Sequence, residues 1–169
     1  MKVHQQLNQL PVFNKAVVTI GSFDGVHTGH QQIIKQVKEE ANKIGGESII
    51  ITFYPHPRKV IGLPQNNFSL ITTLEEKINL LKKENINHLV IVPFNRDFSD
   101  QPAVDYIRDF LVNYFHPHTI IIGYDHHFGK NREGDFELLK KFEKTYNYKV
   151  KEIPEHILNN VTVSSSKAR

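Results

Sequence analysis

The chain has no cysteine and no tryptophan, and its one methionine is Met1. Without cysteine, disulfides, zinc–thiolate centres and thiol nucleophiles are all excluded. No apolar run approaches the roughly 20 residues that a membrane-spanning helix needs. The first ten residues lack the apolar core of a secretory signal, so cytoplasmic residence is the default expectation and no membrane partner is expected. Charge of one sign is also scarce in excess, with a formal net charge of +3. The basic residues are scattered in pairs such as Lys82-Lys83 and Lys140-Lys141, which read as solvated helix faces. They form no electrostatic stripe, so nucleic acid is not an expected partner. What remains is an ordinary globular composition, 39% hydrophobic with eleven Phe and six Tyr. At 169 residues it fits one domain that can bury a core without staples, and most of those rings are expected there. No internal repeat or low-complexity linker divides it.

Short β-branched runs alternate with helical patterns. Residues 16–20, 48–53, 89–92 and 119–122 are continuous apolar segments, as expected of strands covered on both faces. Residues 149–153 would add a fifth strand. Ile33, Ile34, Val37, Ala41 and Ile44 form an apolar helical stripe closed by Gly45-Gly46. Thr73 and Glu76 form a capping box ahead of a second helix. A third helix is expected over 102–114 with Val104, Ile107, Phe110 and Leu111 inward, and a fourth over 135–146. This βαβ series predicts an α/β protein with a parallel sheet and right-handed crossovers.

Ligands of such sheets bind beyond the carboxyl ends of the strands, and the unusual residues follow the strands in the same way. The sharpest signal runs from Gly21 through Ser22, Phe23, Asp24, Gly25, Val26, His27, Thr28 and Gly29 to His30. It reads as a strand, a glycine turn and a helix whose first turn carries two histidines. Backbone N–H groups at such a start suit an anion, and His27 and His30 share one face of the turn. The pair could also be half of a metal site, but no carboxylate within the turn completes one. After the second strand, Tyr54-Pro55-His56-Pro57-Arg58 reads equally well as a wall for a flat ligand or as a rigid turn. After the fourth, the run from Gly123 to Asp135, with Asp125, Lys130 and Arg132, reads as a ligand loop. His126 and His127, adjacent in sequence, are expected to point apart. Near the end, Ser164, Ser165 and Ser166 followed by Lys167 and Arg169 look like a helix cap and a second phosphate cradle. A helix that starts where the chain stops suggests a domain over 1–169 truncated at its C-terminal helix.

These motifs, in this order, resemble the FAD synthetase module of bacterial bifunctional riboflavin kinase/FMN adenylyltransferases. That family belongs to the nucleotidyltransferases whose HxGH signature matches His27-Thr28-Gly29-His30. The signature alone marks only the superfamily; residues 52–57, 70–77 and 123–135 are more specific. Two departures stand out. The family's terminal Ile-Ser-Ser-Thr-x-Ile-Arg is here Val163-Ser164-Ser165-Ser166-Lys167-Ala168-Arg169, and Asp125 stands where relatives often have Asn.

The resemblance implies a Rossmann-like doubly wound sheet of the HxGH nucleotidyltransferase type. It also implies transfer of the adenylyl group of ATP to FMN, giving FAD and pyrophosphate, with Mg2+ carried by ATP. His27 and His30 would be the catalytic pair. Gly21, Ser22, Phe23, Gly25, Gly29, Asp125, Ser164, Ser165 and Arg169 would complete the ATP site. Pro55, His56, Pro57 and Arg132 would lie on the flavin side. A riboflavin kinase domain would be fused to this module in the full-length protein. The alternatives are a related enzyme with another phosphate acceptor and an inactive flavin- or nucleotide-binding fragment.

Overall fold

A computed structural model of the chain describes residues 1–23, 28–57 and 73–158. Six strands form one sheet: β1 Lys2–His4, β2 Ala16–Ile20, β3 Glu47–Tyr54, β4 His88–Pro93, β5 Thr119–Gly123 and β6 Lys149–Ile153. Every pairing is parallel, in the spatial order β1-β4-β3-β2-β5-β6. The apolar runs form central strands because both of their faces are covered: all five residues of β2 and of β5 are buried.

The alternation along each strand sends residues to two different cores. Val17, Ile50, Ile91 and Ile121 face one side, with Ile34, Val37 and Ala41 of helix α1 (Thr28–Ile44) and Leu81 of helix α2 (Leu74–Lys82). Val18, Ile49, Ile51, Val90, Val92, Ile120 and Ile122 face the other. The chain moves outward from β2 through α1 to β3 and through α2 to β4. It then crosses back to β5 and β6 on the opposite side of β2. Right-handed crossovers running in opposite directions put their helices on opposite faces, and that is the arrangement found. The fold is α/β, doubly wound and Rossmann-like, with its switch point between β2 and β5.

The local signals act as the residues suggest. Gly45 leaves α1 at φ +67, the left-handed position that ends helices. The Thr73 side chain accepts from the Glu76 N–H at 3.1 Å and starts α2. The short helix α3 (Arg96–Ser99) is capped by Asn95.

The third expected helix, α4, runs over 103–115, with a π-helical segment, Tyr106–Val112, between two α-helical ends. Its inward face is Ala103, Tyr106, Ile107, Phe110, Leu111 and Phe115, whereas Val104 is 45% exposed, contrary to its expected inward place. Two contacts from a distant loop fix the first turn. The Glu133 side chain accepts from the Ala103 N–H at 3.0 Å, and Gly129 packs against Ala103 so closely that a Cβ there would lie 2.8 Å from the Ala103 Cα. The fourth expected helix breaks at Phe142 into α5 (Phe136–Lys141) and α6 (Glu143–Tyr146).

The edge strand β1 was not expected from the sequence. Its His4 ring nitrogen lies 3.0 Å from that of His88, whose other nitrogen is 2.9 Å from a Glu47 carboxylate oxygen. This chain of contacts ties β1 to the starts of β3 and β4, at the edge away from the candidate site. Among the described residues no helix is long and apolar enough to cross a membrane.

Candidate active site

Parallel strands bring the turns after β2, β3, β4 and β5 to one edge of the sheet. The turn after β2 is the most constrained. The Gly21 N–H donates to the Ile51 carbonyl at 3.0 Å, which carries the strand pairing up to the turn. Phe23 then adopts φ +49, a left-handed conformation that a bulky residue takes only when its surroundings impose it. Its ring is 1% exposed and packs among Ile34, Ile50, Leu81 and Leu89. A Cβ on Gly21 would sit 3.1 Å from that ring, so glycine permits the close approach. The Ser22 carbonyl faces inward, where it accepts from the Lys77 ammonium at 2.6 Å and the Thr52 hydroxyl at 3.0 Å.

Beyond this turn, α1 opens with Thr28, Gly29 and His30. The half-buried His30 ring lies 4.9 Å from the Phe23 ring. The helix start therefore carries a histidine, the N–H groups of a first helical turn and the positive end of a 17-residue dipole. Its expected partner His27, together with Gly25, lies outside the described residues. So do Ser164, Ser165 and Arg169 of the second expected phosphate cradle.

A cleft of about 620 Å³ opens on the same edge. One side is made by Phe53 and Phe94 at the ends of β3 and β4, by Pro57, and by Arg96, Phe98 and Asp100 around α3. The other is made by Tyr106 of α4 and the loop that follows β5, from His126 to Arg132. Because β2 lies between β3 and β5 in the sheet, the cleft and the turn after β2 share this edge, although the described lining comes only from the elements beside it.

The walls are aromatic and fixed by mutual packing. Phe53, Phe94 and Phe98 meet pairwise at 5.4–5.6 Å. Tyr106 and Phe128 stack at 4.8 Å with their planes 30° apart. A backbone bridge between Phe128 and Gly134 closes the loop, and the Lys130 N–H donates to the Gln101 carbonyl at 2.8 Å. Burial pushes the Tyr106 phenol far above its usual range, so it stays a neutral wall. Burial likewise lowers His126 to about 4, against the upward pull of the Asp125 carboxylate. Its ring is neutral at pH 7 and stacks on Phe128 at 6.0 Å, while His127 is exposed. Both histidines nevertheless line the cleft.

Of the residues expected on the flavin side, Pro57 and Arg132 line the cleft, while Pro55 and His56 belong to the same turn but are not on its wall. That turn begins with a cis Tyr54–Pro55 peptide. Asp125 is exposed just past β5, beside the buried Gly123. Sequence reasoning gave no role to Arg96, Asp100, Tyr106 or Lys77. For Lys77 a signal exists: it interrupts the apolar stripe of Leu74, Ile78 and Leu81, where a cation is costly. Tyr106 carried no distinguishing mark among many aromatic residues.

The comparisons with known proteins point one way. The family model described as FAD synthetase matches residues 10–167. The chain is 34% identical, over its whole length, to the bifunctional riboflavin kinase/FMN adenylyltransferase of Buchnera aphidicola subsp. Acyrthosiphon pisum, of which it covers 54%. It is 32% identical to the protein of that name from Escherichia coli K12, over 90% of the chain and 49% of that protein. It therefore spans about half the length of these relatives. Among solved structures, a macrolide-efflux protein from Streptococcus pneumoniae superposes with a TM-score of 0.75 at 22% identity. That likeness covers 91% of this chain and 52% of the other. A pantothenate synthetase from Thermus thermophilus follows with a TM-score of 0.57 at 13% identity, over 91% and 62%. At such identities the structures speak for the fold alone. The match to the family model over nearly all of the sequence is of another order, and by it the chain belongs to the FAD synthetase family.

Proposed function

We propose that the chain transfers the adenylyl group of ATP to FMN, releasing FAD and pyrophosphate. The observation that carries this reading is that an anion-suited helix start and a flat-walled cleft lie on the same edge of the sheet. The cleft's volume of about 620 Å³ lies within the roughly 300–1,000 Å³ common for small-molecule sites. Its stacked aromatic walls suit a planar ring system, and Arg96 and Arg132 on it suit an anionic ligand. Family membership and the names of the relatives support the same substrates.

In this reading a phosphate oxygen of FMN bonds to the α-phosphorus of ATP. The bond from that phosphorus to the bridging oxygen breaks, and pyrophosphate leaves with the electron pair. The substrates supply nucleophile and leaving group, so the protein positions them and stabilises developing charge. His30, with His27, donates to the phosphate oxygens, and backbone groups at Gly21, Ser22, Phe23, Gly25 and Gly29 allow the α-phosphate to come close. Asp125 contacts the nucleoside. Ser164, Ser165 and Arg169 hold the outer phosphates. Pro57 and Arg132, supported by Pro55 and His56, take the flavin side. Magnesium would be carried by the phosphate oxygens of ATP, as suits a small hard cation, and would supply charge neutralisation there. No group of three or more His, Asp or Glu among the described residues could cage it. The relatives' names pair this activity with riboflavin kinase, whose product is FMN. A kinase domain joined to this module in a longer cytoplasmic protein is the expected source of the acceptor.

The test is chromatographic. Incubation of the purified chain with FMN, ATP and magnesium should yield FAD and an equal amount of pyrophosphate. Product formed only when another phosphate-bearing acceptor replaces FMN would move the protein to a different reaction. Binding of ATP or FMN without turnover would make it a binding module.

A further inference from the structure

Lys77 is 6% exposed, on the sheet-facing side of α2. Its ammonium donates to the Ser22 carbonyl at 2.6 Å and lies 3.5 Å from the Thr52 hydroxyl, which donates to the same carbonyl at 3.0 Å. A leucine or methionine would fill this helix face without the cost of burying a cation. We infer that Lys77 is a positioning residue for the phosphate-binding turn, an inference that rests on the adenylyl-transfer reading.

The geometry follows from one peptide plane. In a trans peptide the C=O and the following N–H point in opposite directions. Lys77 and Thr52 pin the Ser22 oxygen inward, so the Phe23 N–H is turned the other way, out of the core. The same pinning holds Phe23 at φ +49, and its buried ring sits 4.9 Å from that of His30. The lysine thereby sets both the N–H and the ring against which His30 rests.

Lys77→Met and Lys77→Arg test this, with circular dichroism confirming the fold. The methionine variant should lose about 10²-fold in kcat for FAD formation, the scale of misplacing a reacting group. Its ATP affinity should weaken while its FMN affinity stays within about twofold of wild type. Arginine should restore part of the kcat. A folded Lys77→Met with kcat and ATP affinity within about twofold of wild type overturns the inference. So does one whose FMN and ATP affinities fall together. If methionine prevents folding, Thr52→Val decides. A loss of roughly 3–10-fold in kcat or ATP affinity, the scale of one hydrogen bond, with FMN binding intact supports the clamp, and no loss overturns it. A wild type that binds ATP but makes no FAD refutes the functional reading alone, since ATP affinity across the variants still reports the clamp. A wild type that binds no ATP refutes both.

Discussion

Gly129 joins the stability of the cleft to its shape, and Gly129→Ala tests that link. The residue sits at φ +79, ψ −179, a region open essentially to glycine, in which another residue costs on the order of 1–3 kcal/mol. An added Cβ would also lie 2.8 Å from the Ala103 Cα and 3.0 Å from its N and Cβ. Helix backbone yields less than a side-chain tip, so overpacking should cost a further ~1–3 kcal/mol. The two together give roughly 2–6 kcal/mol. At about 2–4 °C per kcal/mol for a chain of this size, Tm should fall by roughly 4–24 °C. The loop also has to move away from α4, carrying Phe128 and Arg132 from their places on the cleft wall. Urea denaturation should therefore show a lower midpoint at unchanged slope, and FMN affinity should fall well before ATP affinity does. A loss below about 1 kcal/mol with unchanged FMN binding would falsify the argument.

Three further outcomes are expected. His30→Ala should lower kcat for FAD formation by roughly 10²–10³, the scale of losing one charge-stabilising donor; near-wild-type turnover in steady-state assays removes His30 from that role. Arg132→Ala should raise the KM for FMN with little change in that for ATP, because only the cleft loses a cation. A rise in KM for ATP alone would place the arginine elsewhere. His126 gives a pH signature. Burial holds its folded-state pKa at about 4 against an ordinary 6.5, so between those values the unfolded chain takes up a proton that the folded chain refuses. Stability must then fall as pH drops through that window and level off below it, by at most about 3 kcal/mol. Urea midpoints at pH 7 and pH 4.5 should converge in His126→Phe relative to wild type, and parallel losses in the two proteins would refute the assignment.

The sheet was legible because its central strands are buried on both faces. Runs such as 16–20 and 119–122 leave no polar register to confuse. β1 was not, because three residues at a sheet edge carry no period. Its place depends on His4 meeting His88, a contact between segments far apart in the chain. The break at Phe142 was equally hidden, since the apolar spacing continues across it. On the functional side, the order of motifs after successive strands was enough to put four turns on one edge. The cleft between them needed α3 and α4, whose contributions, Phe98 and Tyr106, look like any other core aromatic until their neighbours are known.

Val104 and Lys77 show why helical spacing reads a site incompletely. Spacing assigns a face by averaging over turns, but the first turn of α4 is fixed by Gly129 and Glu133, more than twenty residues away. The π-helical segment that follows, Tyr106–Val112, further alters the angular phase. Apolar Val104 is therefore left outside while Ala103 goes in. Lys77 is the reverse case, a charge on an apolar stripe, and here the violation is the information. A hydrophobic face tolerates a lysine only where a specific acceptor meets it. In this fold one such acceptor is the carbonyl of the turn that leads to the candidate phosphate site. Where a local rule is broken at a position that a compact fold must bury, function is the first place to look for the compensation.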